Sequence, residues 1–265
     1  MEKADKTLSK VISNRKAANL PFNSAEHLVF WKKIINVFAF CTVFKISHND
    51  IKPSNILVVK NQVEGKKSGV EGDLNDTYTP KIADFGTSVQ TEQDPTANVR
   101  LLNADSMFTN NMVAMTPLYA SPAVVQNAPH INKFLEDVFS LGMTFLQMAG
   151  LFKENQLNSY AINREAPQYH LVSRYINMTE SQYCQLDAAR AQEARLGKAI
   201  EACSSKEYEL PYFFCAILKN MLKWDTDERL SSIKLKTIFE DPDHRLIDNL
   251  DNVAFVDALI ESARK

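Results

Sequence analysis

The feature that most constrains this chain is a pair of short strands with polar residues gathered at one end. Residues 48–60 read HNDIKPSNILVVK, and residues 81–86 read KIADFG. The Asn-Asp and Lys-Pro-Ser steps of the first segment mark an irregular loop. The apolar run Ile56 to Val59 that follows predicts a strand. The second segment predicts another strand, ending in a turn at Asp84. Two such strands can fold back as a hairpin, which would bring Asp84 beside Asn55. One end of the hairpin would then gather two carboxylates (Asp50, Asp84), an ammonium (Lys52) and an amide (Asn55).

The rest of the chain predicts helices. Residues 1–22 read as polar and hinge-like. Asn23 with Glu26 three places on is a capping-box signature. Leu28, Trp31, Ile34, Ile35 and Phe38 follow at helical spacing, predicting a helix to about Lys45. Residues 61–80 form a polar insert with three Gly, read as a surface loop. Leu135 to Leu151 predicts a helix apolar on every side, hence buried. Residues 155–207 read as mostly helical, with the charged stretch 187–201 as a solvated face. An amphipathic helix over Leu210–Trp224 and two more over 231–240 and 253–264 complete the chain. The expected fold class is mainly α with a small β component. At 265 residues the chain fits one large domain or two small ones.

Composition removes several function classes. Lys plus Arg is 30 against 32 Asp plus Glu, a net charge of −2. Such a chain is not a polycation seeking nucleic acid or an anionic membrane, so neither is expected as a partner. The seven Gly form no G-x-G-x-x-G and no Walker A loop, which excludes the two commonest Gly-rich phosphate cradles. The four Cys show no C-x-x-C spacing, so a zinc site or disulfide framework is not expected, and the cytoplasm is the expected compartment. The first sixteen residues, MEKADKTLSKVISNRK, lack a signal-peptide core. The longest uncharged apolar run, Val138 to Phe152, is 15 residues, short of the ~18 a membrane-spanning helix needs. The remaining His residues, His27, His130, His170 and His244, read as surface or hydrogen-bonded side chains.

The polar cluster suits phosphoryl transfer. A carboxylate must accept a hydroxyl proton, hard oxygen ligands must hold Mg²⁺, and a cation must offset charge on the transferred group. HNDIKPSN resembles the catalytic loop of eukaryotic-type protein kinases, and ADFG resembles their metal-binding turn. Three further segments agree in order. MTPLYASPA (115–123) resembles the end of an activation segment, DVFSLG (137–142) the start of the buried central helix, and DERLS (227–231) the late Arg-containing motif. The resemblance covers about residues 1–240 and implies the large lobe of a protein kinase, with an activation segment over 84–123. Residues 241–265 would be a C-terminal helical extension.

Carried onto this sequence, the resemblance implies Asp50 as the base that orients the substrate hydroxyl. It implies Lys52 at the γ-phosphate, a Ser/Thr-branch habit, and Asn55 and Asp84 on Mg²⁺. Leu57 would floor the adenine pocket, and Glu2 and Ala4 would lie in the hinge that touches adenine. His48 would pack the loop, Thr116 would shape the substrate-binding loop near Asp50 and Lys52, and Asp137 would hold the catalytic-loop backbone. The implied cofactors are ATP and Mg²⁺, and the implied partners are proteins bearing Ser or Thr.

The departures are equally specific. The 49 residues before Asp50 do not accommodate the family's small lobe. They contain no Gly-rich loop and no strand Lys with its helix Glu. The expectation is a large lobe alone, with the nucleotide site completed by an upstream segment or a protein partner. Asn49 stands where many kinases carry the Arg that pairs with a phosphorylated activation loop, so that mode of control is not expected. Ala123 stands where the family has the Glu that pairs with the Arg matched by Arg229. Arg229 should then find another acid, such as Asp225 or Asp227, or reach water, and the activation segment should be less rigid. Three other readings stay open: an inactive lobe serving as a protein-binding scaffold, a small-molecule kinase, and a fragment of a longer protein.

Overall fold

The computed structural model describes residues 6–60, 78–90, 119–121, 132–150, 210–223, 225–240 and 245–265. The expectations for Glu2, Ala4, Thr116, Ala123 and residues 155–207 lie outside the described residues, as do most of the insert and of the activation segment.

The chain enters through β1 (Lys6–Thr7) and α1 (Leu8–Ala17), then crosses in α2 (Ser24–Val43). Over residues 8–17, α1 replaces the hinge-like reading with a helix. Its sequence is polar, but Thr7 Oγ1 accepts from the Lys10 N–H at 3.3 Å, and Leu8 and Val11 are buried. Two apolar anchors and a cap hold a short helix that tertiary packing stabilises and pattern does not reveal.

α2 begins as expected. Asn23 Oδ1 accepts from the Glu26 N–H at 2.9 Å, and Glu26 Oε2 accepts from the Asn23 N–H at 2.8 Å. Arg15 closes both of its outer nitrogens on Glu26, at 2.6 and 2.8 Å, clamping α1 to the start of α2. Phe30, Trp31, Ile34, Ile35, Phe38 and Ala39 form the buried stripe. The helix stops where Lys45 takes φ 58°.

The hairpin forms. β3 (Ile56–Lys60) pairs antiparallel with β4 (Tyr78–Ile82), with Ile56 opposite Ile82, and β1 adds on the other side with Thr7 opposite Leu57. β4 begins at Tyr78, so the insert ends at 77 rather than 80. Pro80 sits within β4 without breaking the sheet, because β4 is an edge strand in the order β1-β3-β4. A second, two-stranded sheet pairs β2 (Ile46–Ser47) with β5 (Val89–Gln90).

The core lies between α2 and the later helices: α3 (Lys133–Met148), α4 (Tyr212–Met221), α5 (Ser232–Glu240) and α6 (Val253–Arg264). α3 is capped by Asn132 and is buried along nearly its whole length. Gly142 lets α4 approach: a Cβ there would lie 2.9 Å from a Leu222 methyl and 3.1 Å from Met221 Cβ. Trp31 of α2 stacks on Phe145 of α3, centroids 4.3 Å apart and planes 4° apart, with Phe214 of α4 edge-on at 5.0 Å. His27 joins this layer, contrary to the surface or hydrogen-bonded reading. It is buried among Phe22, Trp31 and Phe214, and its Nδ1 has no hydrogen-bond partner among the described residues. Burial and the nearby Arg15 charge lower its pKa to about 3.

α6 belongs to the same body. Val256 and Ile260 are buried, and the Phe213 N–H reaches Leu250 O at 2.8 Å. Helices account for 64% of the described residues, matching the expected fold class. Among the described residues no helix is long and apolar enough to cross a membrane.

Candidate active site

The loop that follows β2 is fixed through its backbone. The N–H groups of His48 and Asn49 donate to the two oxygens of Asp137, on the second turn of α3, at 2.7 and 2.8 Å. Asn49 takes φ 65°, a left-handed conformation that Asn tolerates better than most residues. Burial pushes the Asp137 carboxyl up to about 7, against the opposing pull of those two N–H donors. The holding role expected for Asp137 matches this geometry.

His48 packs the loop from inside. Its Nε2 lies 3.0 Å from Ala83 O, an acceptor only, so Nε2 carries the proton. Nδ1 then accepts from the Asp50 N–H at 3.3 Å. Burial holds the His48 pKa below the ordinary value, which favours this neutral tautomer. The ring packs against Phe85 with centroids 4.9 Å apart.

Asp50, Lys52 and Asn55 meet. Asp50 is 6% exposed, and its Oδ2 accepts from Lys52 Nζ at 2.6 Å and from Asn55 Nδ2 at 3.0 Å. Asn55 Nδ2 also donates to Asp50 O at 2.9 Å. Both amide hydrogens thus turn toward Asp50, and Oδ1 faces the other way. The 3₁₀ turn Pro53–Asn55 sets this register just before β3.

The hairpin brings in Asp84. The Ala83 N–H donates to Asn55 O at 2.9 Å, placing the next residue at the mouth of the loop. Asp84 is exposed and left-handed at φ 63°. Gly86 leaves room for its carboxylate, since a Cβ at 86 would lie 3.3 Å from Asp84 Oδ1. Asn55 and Asp84 each carry hard oxygens, the ligand type that Mg²⁺ takes. Among the described residues no group of three or more His, Cys, Asp or Glu could hold a metal. Leu57 lies half-buried on β3 between Thr7 and Lys81.

Two contacts were not legible in the sequence. Asn49 Nδ2 donates to Thr87 O at 2.9 Å, and Thr87 Oγ1 donates to His48 O at 2.9 Å. Arg229 does find another acid, but it is Glu136 at the start of α3 rather than Asp225 or Asp227. The Arg229 side chain is 0% exposed, with Nη1 on Leu135 O at 2.8 Å and on Glu136 Oε1 at 3.2 Å. Nε and Nη2 both donate to Lys223 O, at 3.0 and 2.9 Å, and the guanidinium lies over the Phe139 ring at 5.0 Å. Asp225 instead caps its own turn, accepting from the Asp227 N–H at 3.0 Å. Buried carbonyls and one buried carboxylate draw the guanidinium inward, where each bond is stronger than at the surface.

Comparison with known proteins agrees with this geometry. Part of the chain is 28% identical over 145 residues to the probable serine/threonine-protein kinase nek1 of Dictyostelium discoideum, covering 54% of this chain and 27% of that one. It is 30% identical over 143 residues to eukaryotic translation initiation factor 2-alpha kinase 2 of Schizosaccharomyces pombe, covering 49% and 22%. It is 33% identical over 116 residues to mouse serine/threonine-protein kinase Nek5, covering 44% and 14%. The aligned part therefore spans 27% or less of each relative's length. Residues 1–242 match the family described as the protein kinase domain. On that match, and on a loop and turn that gather the family's polar residues at one end of a hairpin, the chain belongs to the protein kinase domain family.

Proposed function

We propose that this chain is the large lobe of a protein serine/threonine kinase, over residues 1–240, and transfers the γ-phosphate of ATP to Ser or Thr hydroxyls of proteins. The observation that carries this reading is the convergence of Lys52 and Asn55 on Asp50, with Asp84 held beside Asn55 through the Ala83 N–H. In this reading Asp50 orients the substrate hydroxyl and takes its proton. Lys52, 2.6 Å from Asp50 Oδ2, stands where it can offset charge on the transferred group. Asn55 Oδ1 and Asp84 would hold Mg²⁺, which when bound neutralises the phosphates of ATP. Leu57 would floor the adenine pocket, Glu2 and Ala4 would touch the base from the hinge, and Thr116 would shape the substrate-binding loop. No Gly precedes Gly65, so a preceding segment or a protein partner would cover the phosphates. The protein would work in the cytoplasm.

The test is Mg²⁺-dependent ATP binding by the chain, with Asp84→Asn beside it. With one side of the site supplied, affinity should be weak, near ~1 mM or about −4 kcal/mol. Saturable binding that disappears in Asp84→Asn supports the reading. Absence of binding at several millimolar overturns it in favour of a protein-binding scaffold.

A further inference from the structure

The segment after Asp84 sets where that carboxylate lies, and here it is tied down by neutral groups. Thr87 and the loop at 48–49 exchange two hydrogen bonds in opposite directions. Asn49 Nδ2 donates to Thr87 O at 2.9 Å, and Thr87 Oγ1 donates to His48 O at 2.9 Å. Further contacts flank this exchange, among them Ser88 Oγ, which donates to the same His48 O at 3.5 Å. The Ile46–Ser47 strand pairs with Val89–Gln90, Ser47 Oγ donates to Val89 O at 3.3 Å, and the His48 ring packs on Phe85. On its other side Asn49 is anchored, its N–H on Asp137 at 2.8 Å and its backbone at φ 65°. A side chain that starts from a fixed left-handed backbone and ends on a main-chain carbonyl has little freedom to lose, so its hydrogen bond stabilises the segment with small entropic cost.

We infer that Asn49 and Thr87 form a charge-independent latch that holds residues 85–90, and with them Asp84, in position without a phosphate on the segment. Asn49 is thus a positioning residue. It acts through Thr87 and the turn at Phe85–Thr87, and touches no reacting group. The inference rests on the reading of Asp84 as a nucleotide-side carboxylate only for its functional meaning; the latch itself is a statement about local opening.

Hydrogen exchange of the whole chain, resolved by peptide, tests it in four variants. Asn49→Gly keeps the left-handed backbone and removes the amide. Asn49→Asp keeps size and backbone tolerance but turns an acceptor toward Thr87 O. Thr87→Val removes the hydroxyl donor, and Thr87→Ser restores it. The expected result is about ten-fold faster exchange through 85–90 in the first three variants, the size of one lost hydrogen bond. Thr87→Ser should stay within about two-fold of the parent chain, and α2 should be unchanged in all four. Unchanged exchange at 85–90 in Asn49→Gly would reduce Asn49 to a backbone role and overturn the latch, as would equal acceleration of 85–90 and α2. Binding of Mg²⁺ and ATP, measured on the same proteins, separates the two readings. A parent chain that binds no ATP yet shows the exchange pattern keeps the latch and loses the kinase reading. A parent that binds ATP without that pattern does the reverse.

Discussion

Two regions of the lobe are held together by different physics. Around Trp31, the side chains of α2, α3, α4 and α5 meet as stacked and edge-on rings: Trp31 on Phe145, Phe214 against Trp31, and Phe213 against Phe239. These contacts are numerous, individually weak and less demanding in angle than hydrogen bonds. Around residues 46–55 and 82–90, almost every tie is a hydrogen bond to a main-chain group, and Asp84, Phe85 and Gly86 are exposed. Such bonds weaken steeply with angle and distance. The first region therefore carries the stability of the lobe. The second carries the geometry of the site, and should open locally at lower free energy.

The sharpest way to break this contrast is Trp31→Ala. Removing a fully buried Trp should cost about 3–5 kcal/mol and lower the unfolding transition of the whole lobe. A loss below about 1 kcal/mol in denaturant titration would mean that the aromatic layer does not dominate. The next effect is smaller and local. Asp137→Ala leaves the N–H groups of His48 and Asn49 without their acceptor, about 1–3 kcal/mol for each buried donor. Exchange should quicken over 46–55 more than over α2 or α4. Uniform quickening would merge the two regions into one cooperative unit.

The third effect is gradual, a pH slope of opposite sign from each region. His27 has a folded pKa of about 3 against 6.5. The unfolded chain therefore takes up the proton first on acidification, and its contribution to stability is lost as pH falls from 6.5 toward 3. Asp137 has a folded pKa of about 7 against 3.8. The folded chain keeps the proton longer, so its contribution to stability is lost as pH rises from 3.8 to 7. Each slope is at most ~1.4 kcal/mol per pH unit, and in the parent chain they oppose one another. His27→Phe should leave stability falling as pH rises between 4.5 and 6.5, and Asp137→Asn should leave it rising. Denaturant midpoints at several pH values check both, and parallel curves for the two variants would sink the assignment.

What could be read in advance followed short-range rules. The cap at Asn23 and Glu26 lies within four residues, and the β3–β4 hairpin follows from two apolar runs around a polar insert. The gathering of Asp50, Lys52 and Asn55 lies within six residues of one loop. What could not be read was long-range or weakly patterned. α1 carries only two buried side chains. The partner of Arg229 depends on where the start of α3 comes to lie. The Asn49–Thr87 exchange joins residues 38 positions apart through a main-chain carbonyl, a group every residue has and no sequence marks.

The sequence by itself determined the helical stripes, the hairpin and the set of polar residues at its end, because periodicity, caps and turn residues act over a few positions. Only the tertiary structure decided which of those polar residues touch. It turned both amide hydrogens of Asn55 onto Asp50, gave Asp137 the N–H groups of His48 and Asn49, and buried Arg229 against Glu136. Hydrogen bonds and ion pairs are fixed to tenths of an ångström by the packing of distant helices, and that packing is a property of the whole lobe.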